Sequence, residues 1–523
     1  MLAAALTFAL QQTAWPTTQA ERTHFAETST YAHVVDFLDQ LQKVAPVQVQ
    51  YIGSSQGGRR MPMAVASIPQ VSTPLEAKRL GRPIVYIQAN IHGGEVEGKE
   101  AAQALLRDLY REDSELLKKL VLVVVPIYNI DGNERWGDGR INRRGQTGPA
   151  TVGQRTNDAE LDLNRDCMKA ESPEMRAVLS GVYNAWDPDV VFDLHTTNGT
   201  RHGYGLTYSP PLHPNTHPGV LEYSRGDLIP RVRARMQSLG IETFDYGNTG
   251  ARQGATVWST FGYEGRYVTN YGGLRNRVSI LSEAMSYNTF EDRVRHTYAF
   301  VKTCLEEIAK DSARILEMSR KADADMVAWA AEGKSLGVRF EMASRGSEDV
   351  LLERPPSEGE DPRVGPITAI DKARMAVFDR FTPTRTAWVP AAYVVPAGEV
   401  KAIELLLRHG VVVEVLREDL IADVAKFTVL EVVQARTAFQ GHRLVRLEGS
   451  FRTEGANVPS GNYIVRTSQP LGVLVFEMLE PESLDGVAAW EFLSALPTVQ
   501  STFPVFKLRD ASKAVTEVVG GVG

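Results

Sequence analysis

Four strand-length apolar runs, at 84–89, 120–128, 189–195 and 277–283, set the strongest limit on this chain, and LVLVVVPIY at 120–128 shows no polar alternation at all. A strand that is apolar at consecutive positions has to be covered on both faces. The chain between these runs carries helical signals. Residues 100–109, 221–239 and 296–320 have the helical period, and Ser172-Pro173-Glu174 pairs an N-cap with proline at the first helical position. Strands separated by helices or long crossovers predict an α/β fold: a mixed, mostly parallel β-sheet flanked by helices. Two earlier strands, 47–53 and 61–68, are joined by a glycine-rich turn, and a helix opening at Ser29-Thr30-Tyr31 aligns Val34, Phe37, Leu38 and Leu41.

At 523 residues the chain is too long for one compact core, and the pattern changes after the last long helix. We expect a main domain over 28–315 and a smaller α+β or mainly β domain over 316–523. Residues 345–365, with the acidic, proline-rich stretch 353–362, read as a loop or linker. Beyond it, 398–410 reads as an amphipathic helix, 411–416 as a strand, and 427–437, 446–452 and 462–479 as strand-rich. No constellation of His, Cys or paired acids occurs in that half.

Composition removes several function classes. Acidic residues outnumber basic ones, 64 to 57, and no run of Lys and Arg makes the concentrated basic face that nucleic acid requires. No segment reaches the 18 or so apolar residues of a membrane span. Cys167 and Cys304 cannot build a disulfide framework or a thiolate metal site, so any zinc must be held by imidazole and carboxylate. Residues 1–27 contain a short apolar run from Leu2 to Leu10 without a basic start, and read either as a secretory signal or as a disordered extension. The first implies a periplasmic or extracellular protein, the second a cytoplasmic one. The ordered protein is expected to begin near residue 28.

The chain has ten histidines, and two of them follow or end predicted strands. His92 and Glu95 sit just beyond the run 84–89, three residues apart, where both side chains can converge on one ion or simply pair on a surface turn. His195 ends the run 189–195, at the edge where open α/β sheets build their sites. Two imidazoles and one carboxylate leave a position open for water, the pattern of a catalytic zinc. Glu283 ends the run 277–283 and is either an ordinary exposed strand terminus or a general base. Asp162, Asn164 and Arg165 form a third polar cluster, suited to an internal salt bridge or to the two oxygens of a substrate carboxylate. Arg275 and Arg277, two residues apart before Glu283, either share a face directed at the pocket or are exposed arginines at a strand start, the commoner case.

In order, GSSQGGR at 53–59, HGGE at 92–95, NIDG at 129–132, DLNRD at 162–166, DLH at 193–195 and SE at 282–283 resemble the zinc carboxypeptidases, peptidase family M14, over roughly residues 28–315. The runs 133–277, 459–470 and 480–486 resemble a bacterial branch of that family with an extra C-terminal region. The resemblance implies one Zn²⁺ per chain held by His92, Glu95 and His195, with Glu283 as general base and acid. It implies Asn164 and Arg165 as the pair that receives the terminal carboxylate of a peptide substrate. The arginine that polarises the scissile carbonyl matches Arg143 best, with Arg144 as alternative. The family's tyrosine falls near Phe261, and among Tyr263, Tyr267 and Tyr271 the match favours Tyr271. The implied activity is metallocarboxypeptidase hydrolysis of C-terminal peptide bonds. An aspartoacylase-like zinc N-acyl amino acid amidohydrolase shares the HxxE, DLNR and distal His pattern, and an inactive peptide- or glycan-binding module is the non-enzymatic alternative.

Overall fold

The computed structural model describes residues 14–112, 115–354, 367 and 369–522. In chain order the strands of the first part are β1 (Gln48–Ser54), β2 (Arg60–Ala66), β3 (Ile84–Ala89), β4 (Val121–Val125), the short pair β5 (Gly137–Asp138) and β6 (Thr151–Val152), β7 (Val190–Thr196), β8 (Leu206–Ser209), β9 (Thr243–Asp245), β10 (Asn248–Arg252), β11 (Ala255–Ser259) and β12 (Val278–Ala284). Eight of them form one mixed sheet in the order β1-β2-β4-β3-β7-β12-β8-β9. β4, β3, β7 and β12 run parallel at its centre and are buried along their whole length, as their largely apolar sequences require. The helices Glu97–Arg111 and Phe290–Lys310 pack together over the sheet.

The second part adds β13 (Ser335–Glu353) and β14 (Ile370–Trp388), then β15 (Ala392–Val395), β16 (Val413–Leu416), β17 (Leu420–Gln434), β18 (Val445–Val458), β19 (Tyr463–Arg466), β20 (Phe506–Leu508) and β21 (Thr516–Gly520). The last seven form a separate sheet, β18-β17-β20-β15-β19-β16-β21. β13 and β14 instead join β10 and β11, so one four-stranded sheet draws on both parts of the chain. A single apolar cluster likewise runs from Val34 to Val505. The expected boundary at 315/316 falls inside the helix Ser312–Glu332, and the two parts share a core across it.

Three further expectations change. The ordered protein begins before residue 28: Ala20 is buried, and Glu21 pairs with Arg107 at 2.6 Å. Residues 1–13, where the apolar run of the expected signal lies, are outside the described residues. Residues 345–353 are not linker but the end of β13, paired along β14 and tied to the main domain by Arg345 on Asp245 and Glu353 on Arg201; residues 355–366, most of the expected linker, lie outside the described residues. Within the strand-rich stretch 462–479, Gly472–Leu479 is a helix buried at every position. An apolar run fully enclosed by protein has no polar face to reveal its period, so helix and strand look alike in sequence.

Candidate active site

The loops leaving the C-terminal ends of β3, β7 and β12 meet at one point. After β3, Asn90 adopts a positive φ of 61°, and its amide donates to the carbonyls of His92, Gly93 and Glu95 at 3.1, 3.2 and 2.9 Å. This folds 90–95 into a compact turn. A side chain at Gly93 would meet the Gly132 carbonyl carbon at 2.2 Å, so glycine is required where the turn crosses the 129–133 segment. His195 and Glu283 are register partners on the adjacent parallel strands β7 and β12.

His92, Glu95 and His195 are buried and bring one ligand atom each within 4.8 Å of one another. The two carboxylate oxygens of Glu95 lie 3.0 Å from His92 Nδ1 and 2.8 Å from His195 Nδ1. Each outer nitrogen faces another carboxylate: His92 Nε2 is 3.0 Å from Asp162, and His195 Nε2 is 2.8 Å from Asp193. A carboxylate that takes the outer N–H fixes the tautomer and leaves the inner lone pair for a cation. The donor set, two imidazole nitrogens and a carboxylate with that outer support, fits zinc.

The electrostatics diverge within a few ångströms. Burial opposes ionisation of Glu95, but Arg143 and His92 outweigh it and hold its carboxyl well below the usual range. Burial would also discharge His195, yet Asp193 and Glu95 hold it well above the ordinary imidazole value. At Glu283 burial wins: the carboxyl is pushed up to about 8, with His195 opposing and Glu95 assisting. Its Oε2 is buried without a hydrogen-bond partner, in a cavity of about 210 Å³.

Asn164 and Arg165 line the same cavity. Asn164 Oδ1 accepts from Val268 N at 3.1 Å, and the Arg165 guanidinium lies over the Tyr267 ring, 4.5 Å from its centroid. Arg143 reaches Glu95 Oε1 at 3.2 Å and donates to the Thr196 and Thr197 carbonyls. Arg144 is exposed and does not line the cavity.

Tyr271 is not in the cavity, contrary to the expectation. It is fully buried, with its hydroxyl 2.7 Å from His409 Nδ1, because its helix, Val268–Leu274, turns that face inward to the core. The aromatic wall is Tyr246, Phe261 and Tyr267. Arg275 and Arg277 are also absent from it, bonded instead to the His409 carbonyl and to Asp323 and Asp187. They precede β12 while Glu283 lies near its far end, roughly 20 Å away at about 3.3 Å per residue.

Arg155, Asp193 and Tyr246 were not singled out in the sequence. Arg155 lies 3.6 Å from Glu95 and 2.8 Å from Asp162. Asp193 carried a legible signal, since a residue two before His195 on a strand shares its face. Arg155 and Tyr246 reach the site from loops, which carry no period. A larger cavity of about 570 Å³ elsewhere contains four arginines, but Arg345 and Arg380 are neutralised by Asp245 and Asp379, and it holds no comparable metal-ligating group.

Residues 34–217 match the family model described as zinc carboxypeptidase. The chain is 22% identical over 478 residues to Carboxypeptidase 2 of Trichophyton equinum, spanning 87% of this chain and 81% of that one. Carboxypeptidase 2 of Trichophyton rubrum is 21% identical over 478 residues with the same coverage. Among solved structures, a metallo-carboxypeptidase from Burkholderia cenocepacia aligns with a TM-score of 0.40 at 16% identity, over 54% of this chain and 70% of that one. The family match spans the turn that presents His92 and Glu95 and the strand that presents His195, so over residues 34–217 the chain is similar to the zinc carboxypeptidases.

Proposed function

We propose that the protein is a zinc metallocarboxypeptidase that removes residues from the free carboxylate end of peptides. The observation that carries this reading is the meeting, in one cavity, of three side chains able to hold a metal, a carboxyl with an unpartnered oxygen and the pair Asn164 and Arg165. His92, Glu95 and His195 would hold the metal. When bound, zinc supplies Lewis-acid polarisation of the carbonyl and a lowered pKa for water.

The chain's own groups divide the remaining work. Glu283, with an unpartnered oxygen, accepts the proton of the attacking water and returns it to the leaving amine. Its raised affinity for protons suits both halves of that exchange. Arg143, beside Glu95, and Arg155, on the cavity wall, offer guanidinium charge to the oxygen of the scissile carbonyl as it becomes an anion. Asn164 and Arg165 take the substrate's terminal carboxylate, which restricts cleavage to the last residue. Tyr246, Phe261 and Tyr267 shield this chemistry from solvent.

The extended similarity to relatives named carboxypeptidase favours this reading over a compact N-acyl amidohydrolase, and Glu283 in the cavity favours it over an inactive binding module. The test is metal content by mass spectrometry together with release of C-terminal residues from N-blocked dipeptides. Stoichiometric zinc in the wild type, its loss in His195→Ala, and release of a free amino acid are expected. Zinc retained in His195→Ala, or cleavage only of N-acyl amino acids, would overturn the reading.

A further inference from the structure

The turns that carry the carboxylate-binding pair are anchored from outside the main domain. Asp162 spends its carboxylate on His92 and Arg155, while its backbone N–H donates 2.8 Å to Oε1 of Gln440, 278 residues away on the β17–β18 hairpin. That hairpin tip is shaped for the contact. Phe439 and His442 exchange backbone bonds at 2.8 and 3.1 Å, Gln440 and Gly441 have φ of 52° and 86°, and His442 Nε2 lies 2.9 Å from Glu171.

The second turn, at 266–268, is gripped from the same side. Arg266 N donates to Asp485 Oδ2 at 2.9 Å, and its guanidinium pairs with Asp485 Oδ1 at 2.8 Å and donates to the Leu484 carbonyl at 3.0 Å. The same guanidinium lies 4.8 Å from the centroid of Trp490, whose indole N–H holds Asp485 at 3.0 Å. The two anchored turns then meet through Val268 N on Asn164 and Tyr267 under Arg165.

We propose that the C-terminal region completes the carboxylate-recognition side of the cleft, with Gln440 and Asp485 as positioning residues for Asn164 and Arg165. This rests on the reading that Asn164 and Arg165 receive the terminal carboxylate. Neither positioning residue lines the cavity, so each acts through the turn it holds. A backbone N–H left unpaired in a buried turn is costly enough to shift that turn, and a recognition fork displaced slightly loses both of its bonds together.

The test uses the full-length zinc-loaded protein, with matched free-acid and C-terminally amidated N-blocked dipeptides, in wild type, Gln440→Met, Gln440→Glu and Asp485→Asn. Zinc content and thermal midpoint are measured alongside. In Gln440→Met, KM for the free acid should rise about tenfold or more while kcat stays within about threefold, the scale for losing a partner behind a site's ligands. The amide substrate should change far less. Gln440→Glu, which keeps an oxygen acceptor of equal reach, should restore the preference, and Asp485→Asn should weaken it in the same direction as Gln440→Met.

An acid-over-amide preference unchanged in Gln440→Met and Asp485→Asn would overturn the proposal while leaving the carboxypeptidase reading intact. Equal losses on both substrates, loss of zinc, or an equal defect in Gln440→Glu would overturn it too, by reducing the contact to general folding or metal retention. A wild type that cleaves acid and amide equally would instead overturn the reading beneath it, and the proposal with it.

Discussion

Among the buried ionisable clusters of the described residues, two are built on opposite rules. In the C-terminal sheet, Lys507 pairs with Glu480 at 2.5 Å and donates to the Trp388 carbonyl, while the Tyr393 hydroxyl donates to the same carboxylate. Both charged side chains are 1% exposed and the pair is closed. At the ends of β3, β7 and β12, burial is as deep, but Glu283 keeps an oxygen without a partner and borders a cavity. A closed cluster holds the fold together; an open one has valence left for another molecule. Burial and a displaced pKa are common to both, and what distinguishes Glu283 is an unpartnered oxygen beside a cavity.

The largest expected effect breaks the open cluster. Glu283→Gln should retain zinc and the thermal midpoint while turnover falls by about 10² to 10⁴, the range for a positioned acid–base group. Activity within a few-fold of wild type would place Glu283 with the structural carboxylates. The converse experiment breaks the closed cluster. Lys507→Met strands the Glu480 charge and should cost about 3–5 kcal/mol in urea unfolding with kcat of the folded protein unchanged, and adding Glu480→Gln should recover most of the loss. An unchanged unfolding curve would refute the structural role.

Next is Arg165→Ala, which should remove roughly 2–5 kcal/mol of discrimination between free-acid and amidated peptides, the scale for one partner of a desolvated charge pair. A preference surviving in that variant would shift recognition to Arg155, the other cation lining the cavity.

The smallest effect at any one pH step concerns a buried histidine. Burial pushes His409, which accepts from Tyr271 and donates to the Met168 carbonyl, down to about 3 from 6.5. The unfolded chain binds the extra proton first, so stability from neutral His409 is present above pH 6.5 and lost as pH falls toward about 3. Its share of the slope is about 1.4 kcal/mol per pH unit. Urea unfolding across that window should show a shallower acid loss in His409→Gln. Equal slopes would mean that His409 titrates normally.

Much of the central sheet was legible because its strands are predominantly apolar and its helices carry caps and periods. The meeting of His92, Glu95 and His195, three groups that could hold a metal, was foreshadowed by their positions: His195 lies near the end of one such strand and His92 and Glu95 follow another. Tyr271 and Arg275 misled because proximity in sequence to Glu283 says nothing of direction. A helix turned Tyr271 into the core, and the length of β12 carried Arg275 and Arg277 to the opposite end of the sheet. Gly472–Leu479 read as strand because complete burial removes the polar face that distinguishes the two periods.

Local chemistry, then, was enough to specify the parallel sheet, the turn at 90–95 and the residue types that gather at its edge, since apolar continuity and short-range spacing are properties of contiguous chain. Long-range contact decided the rest. Arg155 beside Glu95 and Gln440 beneath Asp162 join segments whose meeting depends on how loops and a second sheet pack. A hydrogen bond spanning 278 residues leaves no periodicity in the sequence, because nothing local has to change for it to form; only the folded core brings its two ends together.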